Sequence, residues 1–101
     1  MRFLLTVVMP NEPFNSLVRE GTLGEKMSSI LEDLKPEAVY FTEQHGMRCG
    51  ILVVNLKDVS EIPRYAEPFF LTFDADCEFR IAMKPEDLAN AGLAKLGEKW
   101  G

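Results

Sequence analysis

The sequence predicts an α+β domain in which helices cover only one face of a four-stranded antiparallel sheet. Two observations support this fold class. From Asp76 to Met83, apolar residues alternate with charged or small ones, which is the pattern of a half-buried strand. The segments Arg2–Met9 and Met47–Leu56 instead carry apolar residues on both of their faces. A sheet built from these strands keeps an apolar face that its own helices do not cover.

Length and charge describe one ordinary domain. The chain has 101 residues, of which 47% are hydrophobic and 27% are charged, so we assign residues 1–101 to a single domain. The 11 basic and 16 acidic residues give a net charge of -5, which disfavours nucleic acids and anionic membranes as partners. No apolar run approaches the ~18 residues of a membrane span, and Pro10 ends the first strand too early for a signal peptide. We therefore expect a cytoplasmic protein.

The first strand and helix follow from an apolar run and a helical repeat. The strand, Arg2–Met9, ends just before a proline, and Asn11 is expected to cap a helix that ends before Pro36. Gly21 and Gly24 weaken this helix by about 1 kcal/mol each relative to alanine, which predicts either a kink or break near Gly21 or a close backbone contact. The apolar positions at helical spacing are Phe14, Leu17, Val18, Met27, Ile30, Leu31 and Leu34.

Two strands then form a predicted hairpin. Ala38–Glu43 and Met47–Leu56 are separated by His45-Gly46, where glycine supplies the positive φ of a tight two-residue turn. We interpret His45 as a polar turn residue. The hairpin places Arg48 opposite Glu43, which predicts a cross-strand ion pair.

The second half of the chain repeats a helix and a strand and adds a terminal helix. Ser60 is expected to cap a helix whose apolar stripe is Ile62, Ala66, Phe69 and Phe73. The alternating strand follows, and Pro85 with Glu86 and Asp87 then begins a last helix. Its apolar stripe, which consists of Ala89, Leu93, Leu96 and Trp100, is expected to dock on its own subunit or on a neighbour. For Trp100, disorder beside the terminus is an equal alternative.

The order strand, helix, strand, strand, helix, strand matches the split βαβ pattern of the ferredoxin-like fold, with an appended C-terminal helix. Right-handed crossovers then give the sheet order 4-1-3-2 and put both main helices on one face of the antiparallel sheet. Four strands of some 20 Å leave roughly 400 Å² uncovered. That is about the size at which an exposed apolar patch becomes an interaction site.

The hairpin register predicts which residues lie on this uncovered face, which we call the bare face. A two-residue turn places Thr42 opposite Cys49 and Tyr40 opposite Ile51, and directly opposed residues share a face. Val39, Phe41, Leu52, Val54 and Leu56 are then expected under the helices. The expected apolar members of the bare face are Leu4, Val8, Ile51 and Val53, and its expected polar members are Thr6, Tyr40, Asn55, Glu78 and Arg80.

Two segments add a resemblance to a known family. Ala66-Glu67-Pro68-Phe69-Phe70 leads to the alternating strand, and Met83-Lys84-Pro85-Glu86-Asp87-Leu88 follows it. With the layout of nearly the whole chain, they resemble an uncharacterised bacterial family of the dimeric α/β-barrel superfamily, near the muconolactone-isomerase-like branch. The resemblance implies a homodimeric barrel of two ferredoxin-like subunits packed through their bare faces, with small-molecule sites. It supplies no catalytic motif that matches this chain.

The candidate site residues each have a structural alternative. Glu78 and Arg80 lie two apart on one strand face, which suits anion binding or proton transfer, although edge-strand charges also prevent aggregation. Tyr40 needs a hydrogen-bond partner when buried, or it packs in an interface. Glu67 is a further candidate acid, and solvent exposure explains it equally well. We take Glu78 and Glu67 as candidate catalytic residues, and as candidate ligand contacts Thr6, Tyr40, Asn55 and Arg80.

The cysteines and the single histidine predict neither a metal site nor a disulfide. His45 is the only histidine, and no His and Cys cluster, phosphate-binding glycine loop, nucleophile elbow or CxxC motif occurs, so no cofactor is expected. Cys49 and Cys77 are expected on strands that flank strand one and to point to opposite faces, which excludes an intrachain bridge. Cys77 is expected in the core, whereas Cys49 on the bare face is either reactive or inert.

Two functional classes follow. The first is a homodimeric small-molecule-binding protein that acts as an isomerase-like or lyase-like enzyme, moving a proton on a small carbonyl or lactone compound. In it, Glu78 or Glu67 is the base, and Arg80 or Tyr40 holds the anion. The second is a non-catalytic dimeric binding or accessory module whose bare face only packs or senses a metabolite. A cavity beside the polar residues favours the first class, and a face filled by apolar side chains favours the second.

Overall fold

The computed structural model describes all 101 residues. In chain order its elements are β1 (Arg2–Met9), α1 (Asn11–Glu20), α2 (Leu23–Leu34), β2 (Ala38–Gln44), β3 (Met47–Asn55), α3 (Ile62–Phe73), β4 (Asp76–Ile81), α4 (Pro85–Ala89) and α5 (Leu93–Trp100). A short 3-10 turn, Val59–Glu61, precedes α3. No helix has both the length and the apolar character that crossing a bilayer requires.

The four strands form one antiparallel sheet in the order β2-β3-β1-β4. This is the predicted order 4-1-3-2 read from the other edge, so the predicted sheet is confirmed. The hairpin register is confirmed as well, because Thr42 pairs with Cys49 and Tyr40 pairs with Ile51. At the turn, His45 and Gly46 both have positive φ, 51° and 78°, as a tight hairpin connection requires.

The hydrophobic core lies between the sheet and the helices α1, α2 and α3. Alternate residues of the central strands enter it, including Leu5, Val7 and Leu52, each at most 1% exposed. From α3, Phe69 and Phe73 pack against them with their ring centroids 6.4 Å apart. The whole buried cluster is Phe3, Leu5, Val7, Met9, Ile30, Leu34, Leu52, Val54, Leu56, Tyr65, Phe69, Phe73 and Ala75. One face of the sheet is therefore covered by the chain itself.

The predicted long helix is broken in two at Gly21. Its φ of 75° ends α1, and the backbone N–H of Gly21 donates to the carbonyl of Val18. A Cβ added at Gly21 or Gly24 would meet no atom within 4 Å, which rules out the alternative of a close backbone contact. Positive φ, which glycine adopts without a steric penalty, is thus the physical reason for the break.

Two predicted helix caps are wrong. Asn11 lies inside α1 and makes no capping hydrogen bond, whereas Glu12 accepts from the backbone N–H of Ser16 at 2.9 Å. Ser60 lies inside the 3-10 turn, where its own N–H donates to the Asp58 carboxylate at 2.9 Å. In both places a nearby carboxylate takes the capping role, because an acceptor with negative charge suits the N–H groups at a helix start.

The predicted ion pair between Glu43 and Arg48 is also wrong, although the two residues are directly paired in the sheet. The Arg48 guanidinium donates to Asn15 Oδ1 at 2.8 Å and lies 4.1 Å from the centroid of the Phe14 ring. Glu43 accepts instead from the backbone N–H of Gly46 at 2.8 Å. The arginine stem and guanidinium thus pack against α1, which the pairing of two strands alone does not predict.

The last predicted helix begins at Pro85 but is divided at Gly92, whose φ is 72°. The preceding strand ends at Ile81 rather than Met83. All residues from Met83 to Gly101 are exposed, and we call this segment the C-terminal arm. It gives the chain a long axis of 60 Å and a radius of gyration of 17.2 Å. A compact chain of this length has a radius of gyration of about 13 Å.

The two cysteines lie on β3 and β4, on either side of β1, and point to opposite faces as predicted. Cys49 pairs with Val8 on the bare face, and Cys77 pairs with Val7 on the helix-covered face. Both thiols are free. Burial raises the pKa of Cys49, and burial with smaller contributions from Asp76 and Glu67 raises the pKa of Cys77 to about 11. Of the two alternatives for Cys49, the structure favours the inert one, because the residue is 1% exposed.

We predict that Phe69→Ala lowers the free energy of unfolding by about 3–5 kcal/mol, because it leaves a cavity in the core. Leu71→Ala is the matched control on the same helix, since Leu71 is 82% exposed, and it should change stability by less than about 0.5 kcal/mol. Urea unfolding followed by circular dichroism measures both values. Equal destabilisation by the two substitutions would contradict the placement of α3.

We also predict that both thiols of the folded protein resist iodoacetamide at pH 8, because the thiolate is the reacting species and both pKa values are raised. Alkylation counted by intact mass spectrometry should be at least about tenfold slower than in denaturant, where both thiols should react. Rapid labelling of the folded protein, or a native intrachain disulfide, would contradict this arrangement.

Candidate functional site

The bare face is formed by alternate residues of all four strands, which line up in rows across the sheet. The central row runs Tyr40, Ile51, Thr6, Glu78, each directly paired with the next. On either side of it lie the row Thr42, Cys49, Val8, Asp76 and the row Ala38, Val53, Leu4, Arg80. No helix of the chain covers these rows.

The middle of the bare face is apolar and its two edges are polar. The half-buried apolar residues that the two central strands place on this face are Leu4, Val8, Ile51 and Val53. Thr6 stands among them and is only 5% exposed. At the β2 edge Tyr40 is 67% exposed, and at the β4 edge Glu78 and Arg80 are exposed. The face therefore has the apolar centre and polar rim that are typical of interfaces.

An open depression of about 440 Å³ lies at the hairpin end of the bare face. The tip of the hairpin extends beyond the end of β1, because the last residue of β1, Met9, already pairs with Arg48. The turn residues thereby form one wall, and the first residues of β4 form another. The lining residues are Thr6, Val8, Gln44, His45, Met47, Asp76, Cys77 and Glu78.

The structure brings two of the six predicted site residues together in this depression, Thr6 and Glu78, which are directly paired neighbours. Tyr40 belongs to the same row but lies at the opposite edge of the sheet, three strand spacings or roughly 14 Å from Glu78. Arg80 follows Glu78 by two residues on the same face, roughly 7 Å along β4, and does not line the depression.

The other two predicted residues lie elsewhere. Asn55 is near the far end of the bare face, where its side-chain oxygen accepts from the N-terminal ammonium group at 3.3 Å. Glu67 is exposed on α3, in the helix layer on the other side of the sheet. A single ligand in the depression therefore does not contact either residue within one subunit.

Three polar residues of the depression were not among the predicted site residues: Gln44, His45 and Asp76. Gln44 could have been found by extending the predicted second strand by one residue, and Asp76 already began the predicted fourth strand on the same face as Glu78. His45 was interpreted only as a turn residue. Its positive φ of 51° supports that interpretation, and the structure adds that the turn borders the depression.

The charged residues at the far end of the bare face are paired, whereas those at its β4 edge are not. At the far end, Arg2 donates to both carboxylate oxygens of Glu37, at 2.9 and 3.0 Å, which holds the pKa of Glu37 below its ordinary value. At the β4 edge, Glu78 and Arg80 form no ion pair within the chain. Both remain free to bind a ligand or a partner subunit.

The depression offers proton acceptors and hydrogen-bond donors close together. The carboxylates of Asp76 and Glu78 and the imidazole of His45 accept protons, and the Thr6 hydroxyl and Gln44 amide can donate hydrogen bonds to a carbonyl oxygen. No group of three or more His, Cys, Asp or Glu side chains has a geometry suited to a metal ion.

Neither a scan against protein-family models nor a search of curated proteins finds a match to this chain.

Proposed function

We propose that the protein is a ferredoxin-like homodimer of the dimeric α/β-barrel type that binds a small molecule at its bare face. The observation that supports this most is the depression beside an apolar sheet centre that no element of the same chain covers. An uncovered sheet face of roughly 400 Å² is within the range of patches that act as interaction sites.

A second copy of the chain is a suitable cover for this face. In a two-fold dimer the same patch serves both subunits, so the apolar centre of one face meets the apolar centre of the other. The polar edges then lie at the rim, where Arg80 remains solvated or contacts the partner, whereas Glu78 faces the depression. Such packing closes the open side of the depression and leaves an enclosed cavity between the subunits. Exclusion of water there strengthens the hydrogen bonds that Thr6 makes to a ligand.

Proton transfer is the activity that this cavity supports best. Glu78 accepts a proton from the carbon next to a carbonyl group, and Thr6 beside it donates a hydrogen bond to the oxygen that gains charge. His45, in the wall that the turn forms, is a second proton acceptor or donor. This is isomerase-like or lyase-like chemistry on a small carbonyl or lactone compound. Arg80, one row away, contributes positive charge for an anionic substrate.

A non-catalytic binding module is the second candidate, and a different observation favours it. The middle of the bare face holds four half-buried apolar side chains, and Tyr40, Asn55 and Arg80 do not join Glu78 in the depression. A protein that only senses or carries a metabolite needs the cavity but no aligned base. Glu67 has no part in either proposal, because α3 holds it on the other side of the sheet.

We predict that the wild-type protein is a dimer at micromolar concentration and that Val53→Glu weakens dimerisation by at least about 100-fold, because it places an unpaired charge in an apolar interface. Leu71→Glu is the matched control, since it adds the same charge on the exposed side of α3. Analytical ultracentrifugation gives the dissociation constants, and circular dichroism checks folding. A monomeric wild type, or equal effects of both substitutions, would contradict the proposed dimer.

We predict that the protein exchanges the proton next to the carbonyl group of a small lactone or carbonyl compound with solvent deuterium. Nuclear magnetic resonance of a panel of such compounds in D₂O measures the exchange. Glu78→Gln should lower the exchange rate at least about 100-fold by removing the base. Glu67→Gln is the matched control and should leave the rate unchanged. Ligand binding without exchange in the wild type would support the non-catalytic module instead.

A further inference from the structure

The C-terminal arm presents an apolar stripe whose side chains are all exposed. Leu93, Leu96 and Trp100 recur at spacings of three and four residues, which places them on one side of α5. Leu88 on α4 adds a fourth exposed apolar side chain, and Trp100 is 77% exposed. A helix with such a stripe gains its stability mainly by packing, so an isolated eight-residue helix in water lacks its main source of stability.

An apolar groove of about 380 Å³ lies at the opposite edge of the molecule, between α2 and the edge strand β2. Its apolar lining residues are Phe14, Leu23, Met27, Leu31 and Phe41. Phe41 lies on the side of β2 that carries the helix layer, yet it is 58% exposed, because no further strand or helix covers the β2 edge. The chain thus carries an apolar stripe and an apolar groove, and neither is covered by the other.

We propose that the C-terminal arm of each subunit docks on a second copy of the chain, with its apolar stripe in the groove between α2 and β2 of that copy. This inference rests on the proposed homodimer and adds a second contact to it. The exchange is reciprocal, so it closes under two-fold symmetry and builds a dimer rather than an open chain of subunits.

The sheet order favours a second copy over the arm's own subunit. The arm leaves the sheet from β4, whereas the groove borders β2, and these are the two opposite edges of the sheet. The arm also extends away from the body of the domain, which accounts for the 60 Å long axis. Because the arm is extended, docking in its own groove would require it to fold back against the domain.

The area of the interface also favours docking of the arm on a second copy of the chain. The bare face alone offers roughly 400 Å², half of the roughly 800 Å² that each partner contributes to a stable interface. The two arm helices are about 20 Å long and about 10 Å wide, so each arm covers about 200 Å². Because each subunit gives an arm and receives one, arm exchange brings the contribution of each subunit to about 800 Å². A dimer without the arms is expected to be weak.

Trp100 reports on this contact directly, because it is the only tryptophan of the chain. In the full-length dimer we expect a blue-shifted fluorescence maximum and at least about threefold slower quenching by acrylamide than for the unfolded chain. Phe41→Glu, which places a charge in the groove, should expose Trp100 and weaken dimerisation. Leu71→Glu is again the control and should leave both properties unchanged. The Val53→Glu monomer gives the signal of the undocked arm.

The outcomes separate this inference from the proposed homodimer. A dimer in which Trp100 is protected in the wild type and exposed by Phe41→Glu supports arm exchange. A wild-type dimer in which Trp100 is as accessible as in the unfolded chain overturns arm exchange and leaves the homodimer standing. Protection of Trp100 that persists in the Val53→Glu monomer also overturns it, because the arm then packs on its own subunit. A monomeric wild type overturns both proposals.

Discussion

All three main helices lie on one face of the sheet, and both the core and the candidate site follow from this placement. Phe69 and Phe73 from α3, with Ile30 and Leu34 from α2, bury the inward side chains of β1 and β3. Helix cover on one side lets a chain of 101 residues complete a single core. It also leaves the apolar residues on the other side of the same strands without cover. The bare face is thus the direct consequence of how the core is built.

The tight turn at His45-Gly46 determines which residues of β2 lie on the bare face. Because side chains alternate along a strand, a shift of one residue in the hairpin would exchange the covered and bare sets of β2. Positive φ at both turn residues holds the pairing of Tyr40 with Ile51, and the separate pairing of β1 with β3 and β4 adds Thr6 and Glu78 to the same row. The same turn projects beyond β1 and forms a wall of the depression. One local element therefore sets both the register and the shape of the candidate site.

Short-range patterns predicted most of the fold, and they failed where another residue offered a better hydrogen-bond or packing partner. The strands, their order and the hairpin register follow from alternation, glycine at the turn and crossover rules, all of which act over a few residues or on whole elements. The caps at Asn11 and Ser60 were wrong because the carboxylates of Glu12 and Asp58 are better acceptors at those helix starts. The ion pair of Arg48 with Glu43 was wrong because Asn15 and Phe14 on α1 offer the guanidinium other contacts.

The α+β class, the strand order and the apolar face outside the core follow from periodicity, turn chemistry and crossover handedness, which belong to short segments or to single elements. Which polar residues meet depends instead on how the elements pack. Thr6 and Glu78 share a depression with Gln44, His45 and Asp76, while Glu67 lies across the sheet. The burial of Cys49 and the exposure of the C-terminal arm depend on this packing as well. Each of these depends on distances between elements far apart in the chain, which no spacing within one element specifies.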